Sequence, residues 1–233
     1  MNRRSRRREA EGGDDAAPLV PGTITGLRAQ AKNQERVSVY LDGRYAFGVY
    51  RDLVLTFGLR KGLELDVAEQ ERIQAADEAL VARAKALAFL GYRDRSEQEV
   101  RRKLERGGFG AAAIDEAVAR LHTLGYLDDA AYARNYARAR FERGGYGPQR
   151  VRADLMRRGV PRALVEQTIA DVFDRTDDVL EAARAQARTR WQRLAREPDP
   201  LKRKKKLYDY LLRRGYGYET VHRVVDELAR EDP

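Results

Sequence analysis

The sequence predicts a mainly α-helical chain, with three tandem three-helix repeats forming an elongated array behind a small α+β module that carries a β-hairpin. One observation dominates. The apolar series Val100, Leu104, Phe109, Ile114, Val118, Leu121 returns as Val151, Leu155, Val160, Val165, Ile169, Val172 and again as Leu207, Leu211, Tyr216, Val221, Val225, Leu228. The steps are four, five, five, four and three residues in every copy. A second observation is the glycine before each third anchor: Gly108, Gly159 and Gly215. A period of about fifty residues marks an array of one supersecondary unit. The third observation is the alternation of Val37, Val39 and Leu41, then Tyr45, Phe47 and Val49, around Asp42-Gly43. That is the signature of a hairpin.

In chain order, residues 1–21 read as a disordered basic tail. Arg3, Arg4, Arg6, Arg7 and Arg8 precede a Gly-Asp stretch with few large apolar residues to order it. Its arginines either solubilise the chain or touch nucleic acid. Residues 22–76 form the small module. Ile24 and Leu27 lie in a first strand, and the hairpin follows. A three-residue loop, Leu41 to Gly43, pairs Val39 with Tyr45 and Val37 with Phe47 and so unites the apolar face. Arg51 to Phe57 is a short helix stopped by Gly58, Leu63 and Leu65 add a strand, and Val67 to Ile73 is a further short helix.

The repeats occupy 77–126, 127–175 and 176–233. In each, anchors four apart lie on one helical face, glycine supplies the left-handed residue that ends the helix, and anchors at i, i+4 and i+7 are the stripe of the next. A longer helix precedes each pair: Asp77 to Leu90, Asp128 to Gly144 and Asp177 to Ala195. The pairs Asp128-Asp129 and Asp177-Asp178 suit an N-cap and the positive end of the helix dipole. Tyr132, Tyr136 and Trp191 read as packing residues, and Gly144 to Pro148 as a plain turn without a phosphate-loop lysine.

Composition narrows the function. The 233 residues contain no cysteine, which removes disulfides, thiol catalysis and cysteine-ligated zinc and fits a cytoplasmic protein. No apolar run approaches a membrane span. His122 and His222 have no metal-ligand neighbours, and there is no Walker, dinucleotide or nucleophile-elbow motif. The expectation is a non-enzyme that needs no cofactor or metal and acts as a monomer.

Charge supplies the positive evidence. The net charge is +9, and residues 134–160 hold eight arginines against Glu142 and Asp154. Seven basic residues in 202–214 face Asp209 alone. Such patches are either solvated helix faces or polyanion contacts. The candidates are Arg138, Arg140, Arg143, Arg150, Arg152, Arg157, Arg158, Lys202, Lys204, Lys205, Lys206, Arg213 and Arg214. With Val151 as the core direction, Arg150 and Arg157 fall at about −100° and about −120°, one flank of the helix. Lys206 and Arg213 take the same two angles in the third repeat, Glu99 and Arg106 in the first. Replacing Arg150 and Arg157 by glutamate should leave stability nearly unchanged, and Glu99→Ala should change nothing.

Several stretches carry a family resemblance: Leu124 to Ala133 (LGYLDDAAYA), the Tyr146-Gly147-Pro148 turn, Val151 to Gly159, and Val39 to Phe47 (VYLDGRYAF). Together with the three repeats, they make the chain over about 22–231 resemble the RecX family of RecA recombinase regulators, in its long form. The resemblance implies binding in the groove of the RecA–DNA filament and inhibition of ATP hydrolysis, strand exchange and stimulated repressor cleavage. The rival reading is a sequence-independent DNA-binding repeat protein without a recombinase partner. A purely structural scaffold leaves the aligned basic patches unexplained.

Overall fold

The computed structural model describes residues 19–31 and 33–231, so the arginines expected in a disordered tail lie outside the described residues. The chain divides into two compact units, one ending at Val81 and one beginning at Ala82.

In the first unit, strands β1 (Gly22–Gln30), β2 (Asn33–Leu41), β3 (Arg44–Tyr50) and β4 (Glu64–Leu65) form an antiparallel sheet in the order β3-β2-β1-β4. Helix α1 (Arg51–Thr56) follows β3. Ile24, Val39, Phe47, Val49, Leu53, Leu65 and Ile73 share one core.

The hairpin turn differs from the expectation. Leu41 pairs with Arg44 across a two-residue Asp42-Gly43 turn, both residues having positive φ (47° and 80°). This primed turn follows the right-handed twist of the strands. The register then slips at Val39/Tyr40, so that Val39 faces Phe47 and Val37 faces Val49. A bulge at Ala46, rather than a longer loop, brings the apolar residues to one face. Tyr45 is left outside, 60% exposed.

The two helices expected around Ile73 and Asp77 are one helix, α2 (Val67–Leu90). Between them lie Gln74, Ala75 and Ala76, good helix formers with no stop signal. The helix starts on a reciprocal cap, with Glu69 N donating to Asp66 Oδ1 (2.7 Å) and Asp66 N to Glu69 Oε2 (3.0 Å).

In the second unit each copy of the anchor series encloses its own core. The first uses the end of α2, α3 (Glu97–Glu105) and α4 (Ala111–Thr123). The second uses α5 (Asp129–Glu142), α6 (Pro148–Arg157) and α7 (Arg162–Val172). The third uses α8 (Thr176–Arg193), α9 (Pro200–Arg214) and α10 (Tyr218–Glu231). All eighteen anchors are buried except Phe109 and Val172, which pack half-buried against the same cores. Gly108, Gly159 and Gly215 have φ of 82°, 83° and 89°. Asp128 caps α5 through Ala130 N and Ala131 N. Asp177 and Asp178 do not cap: Arg175 holds the N-cap of α8, and the aspartates sit in its first turn, where they suit the dipole and Asp178 pairs with Arg175 (3.3 Å). Trp191 is buried, with the Arg203 guanidinium 3.8 Å above its ring.

The anchor helices α3, α6 and α9 meet end to end. Ser96, the N-cap of α3, donates its hydroxyl to Arg158 O at the end of α6 (2.6 Å). Four residues before the first anchor of the next repeat, Gly147 caps α6 and donates N–H to Arg214 O at the end of α9 (2.9 Å). Gln149 N adds a bond to Gly215 O (3.0 Å). Both joints therefore use the same register. At the second the backbones almost touch: a Cβ on Gly147 would lie 2.4 Å from Gly215 O, although φ there is −78°, open to any residue. Gly108 is the opposite case, with a left-handed φ and nothing within 4 Å. Gly108→Ala should cost about 1–2 kcal/mol from backbone strain. Gly147→Ala, unstrained but blocked by a neighbouring backbone, should cost about 3 kcal/mol or more. Urea midpoints of the two variants, measured side by side, test this order.

Candidate polyanion interface

The end-to-end joints decide where the basic residues go. At the first joint Arg158 donates to Glu99 Oε1 (3.1 Å) and lies 4.7 Å over the Tyr136 ring. Arg140 Nε donates to Tyr136 Oη (3.0 Å). Arg150 and Arg157, on one flank of α6 as expected, both reach Asp154, at 3.4 and 3.0 Å. Arg102 of α3 donates to Arg157 O (3.4 Å). Arg102, Arg140, Arg150, Arg157 and Arg158 surround a cavity of about 300 Å³ together with Glu99, Asp154 and Tyr136.

Arg102 was missed. Angles on a single helix do not find it, because it meets the α6 arginines only through the joint between repeats. Glu99 is not the idle position assigned to it. It closes a capping box with Ser96 (Ser96 N to Glu99 Oε2, 3.2 Å) and accepts from Arg158, Arg93 (3.1 Å) and Tyr132 Oη (3.2 Å). Nor are Arg150 and Arg157 free of a structural role. Asp154 is 7% exposed, and these two arginines are its ion-pair partners. Exchanging both for glutamate would crowd three carboxylates at a buried site and lower stability.

The other candidates divide. Arg152 lies off this flank and pairs with Glu166 (3.1 Å). Arg214 enters the second joint, donating to Gly144 O and lying 4.9 Å from the Tyr146 ring and 5.2 Å from the Tyr210 ring. Lys202 pairs with Asp199 (3.6 Å), and Lys206 with Glu197. Lys204 is half-buried. Arg138, Arg143, Lys205 and Arg213 are exposed. Arg157 and Arg213 each lie in the last turn of an anchor helix and Arg106 is the C-cap of α3, where a cation also suits the helix dipole. Among the described residues no group of three or more histidines or acids is placed to hold a metal, and no helix is long and apolar enough to cross a membrane.

The comparisons with known proteins follow this anatomy. Residues 22–66 match the regulatory protein RecX N-terminal domain. Residues 82–121, 128–169 and 176–225 match the first, second and third RecX three-helix domains. The regulatory protein RecX of Clostridium acetobutylicum is 31% identical over 215 residues, covering 92% of this chain and 100% of the relative. The chain belongs to the RecX family. A RecX regulatory protein of Bacillus licheniformis is 32% identical, over 90% of this chain and 78% of its own length. A crystal structure of a regulatory protein RecX superposes with a TM-score of 0.71 at 26% identity, covering 88% of this chain and 99% of that one. RecX from Lactobacillus salivarius shares the fold over 66% of this chain, with a TM-score of 0.59. The three-helix repeats around the joints are thus the family's own architecture, and the chain is a regulatory protein of this family.

The first joint should be acid-sensitive. Burial pushes the Glu99 carboxyl up, but the Ser96 N–H, Arg158 and Arg93 outweigh it and hold the group below its ordinary value. A carboxylate whose folded pKa is depressed contributes stability above its unfolded value and loses it as the pH falls through the folded one. Glu99→Gln should therefore lower the urea midpoint at about pH 7. The gap to the parent protein should narrow as the pH falls through and below the ordinary carboxylate range.

Proposed function

We propose that this RecX-family chain is a negative regulator of the RecA recombinase. It binds in the groove of the RecA–DNA filament and reduces ATP hydrolysis, strand exchange and stimulated repressor cleavage. The observation that carries this reading is the family match, laid over three repeats that are joined twice in one register. A partner with its own repeating protomers presents equivalent contacts at regular intervals, and a tandem protein meets several of them at once. Each further contact then forms at high effective concentration. The exposed cations Arg138, Arg143, Lys205 and Arg213 supply the polar contacts of this reading, toward filament acids or DNA phosphates, in a cytoplasmic monomer. The DNA contribution is sequence-independent: asparagine and glutamine, the residues of a base-reading helix, are sparse on the third helices α4, α7 and α10, where Gln167 stands alone.

The test is DNA-dependent ATP hydrolysis by RecA, which the chain should suppress at substoichiometric ratios. Arg138→Glu with Arg143→Glu, and Lys205→Glu with Arg213→Glu, alter residues that have no ion pair among the described residues. Both pairs should keep the parent's melting temperature and weaken inhibition about tenfold or more, about 1.4 kcal/mol. Unchanged inhibition in both would remove these positions from the partner surface. Salt-sensitive DNA binding with no effect on RecA would favour a DNA-binding repeat protein without a recombinase partner.

A further inference from the structure

We infer that the cavity at the first joint is a binding site for a phosphoryl group, held between the first and second repeats. Five guanidinium groups and two carboxylates line it. The carboxylates are committed: Glu99 to Arg158, and Asp154 to Arg150 and Arg157. Arg102 and Arg140 have no ion pair among the described residues; their hydrogen bonds go to a backbone carbonyl and a phenol. Three positive charges in excess thus converge on one concavity. Such crowding is unfavourable unless an anion shares it. Guanidinium forks match the oxygen spacing of phosphate and bind it through paired N–H···O bonds.

The volume, about 300 Å³, admits more than a bare ion, which suits a phosphoryl group carrying a substituent. Arg102 comes from α3, and Arg150 and Arg157 from α6, so the occupant ties one repeat to the next. Binding therefore stiffens the joint and stabilises the folded chain by linkage. The second joint offers no such site. The place of Glu99 is taken there by Arg150, that of Arg102 by Ala153, and Arg214 is sealed between two tyrosine rings. The inference concerns the isolated chain and stands apart from any action on a recombinase.

The experiment is a melting curve of the full chain in sodium phosphate against sodium chloride at equal ionic strength, with no recombinase present. Phosphate at about ten times its dissociation constant should raise the melting temperature by about 3 °C. The parent protein should also broaden the phosphorus resonance of inorganic phosphate. Arg102→Gln should abolish both effects while the protein remains folded, since no carboxylate loses a partner. Arg162→Gln removes the same charge from an exposed position on α7 and should keep both effects. Competition by an oligothymidylate with a 5′-phosphate, but not by its 5′-hydroxyl twin, assigns the site to a nucleic-acid end. Competition by neither assigns it to free phosphate or a small phosphomonoester, and equal competition to the backbone diester. The proposal falls if phosphate does no more than chloride, if Arg102→Gln and Arg162→Gln respond alike, or if oligoglutamate stabilises in place of phosphate.

Discussion

The second unit depends on one contact made twice: the N-cap residue of an anchor helix rests on a carbonyl at the end of the anchor helix in the next repeat. A helix N-terminus has N–H groups without partners inside the helix, and a C-terminus has carbonyls in the same condition. At the second joint Gly147 N and Gln149 N meet Arg214 O and Gly215 O and so satisfy both ends, whereas at the first the Ser96 hydroxyl takes the Arg158 carbonyl and the N–H groups of α3 are met by Ser96, Glu99 and Asp129. It also brings the C-terminal, negative end of one anchor helix to the N-terminal, positive end of another at each joint. The geometry is demanding, because nothing larger than hydrogen fits between Gly147 and Gly215. The left-handed glycines serve this contact as well as the turn. A Cβ on Gly159 would strike Gln98 of the neighbouring repeat, and one on Gly215 would strike the backbone of Arg150.

The two joints share a register but differ in charge. At the first, Ser96 supplies a hydroxyl where the second has only a backbone N–H, and Glu99 supplies a carboxylate that the second lacks. The first joint is a polar network of Ser96, Glu99, Arg158 and Tyr132. The second is held by backbone bonds and by Tyr216, whose buried hydroxyl donates to Gly145 O (3.0 Å) and whose pKa burial pushes up to about 12. One fold thus produces two joints with different sensitivities. The first joint contains a carboxylate that titrates, Glu99, whereas the contacts at the second are backbone bonds and a phenol.

The fold was legible wherever one segment carried its own signal. The anchor intervals, the left-handed glycines and the Asp128 cap are local patterns, and each predicted its element. The errors share a cause. In the hairpin, the three-residue loop expected from the apolar face gives way to a primed two-residue turn, which suits Asp42-Gly43 better. The parity was restored later by a bulge that has no signal at Ala46. In α2, two helices are expected, Val67 to Ile73 and Asp77 to Leu90, although no residue between them stops a helix. In the candidate site, flank angles placed Arg150 and Arg157 together correctly, and their meeting at Asp154 agrees with that. The angles could not bring in Arg102 or Glu99, because those residues reach the same cavity across a joint that exists only in three dimensions.

The arginines of this surface are held in a particular way, and that bears on why they are arginines. Arg158, Tyr136, Arg140, Tyr146, Arg214, Tyr210 and Arg190 form an unbroken alternation of guanidinium and ring, with separations of 4.7, 5.1, 5.4, 4.9, 5.2 and 5.5 Å. The row passes from the first joint to the second. A lysine ammonium in such a row would be a point charge on a mobile stem, whereas a planar guanidinium stacks on a ring and keeps its edge N–H groups for other partners. Each of the three tyrosines thus has two guanidinium groups beside its ring. Their faces are occupied by the arginines, which they hold in place at little cost in flexibility. Positive charge fixed along a row of stacked rings is already ordered before any partner arrives, so binding loses less conformational entropy than it would with free side chains. That preorganisation follows from the joints, since only the end-to-end contact of α6 with α9 brings Arg214 beside Tyr146.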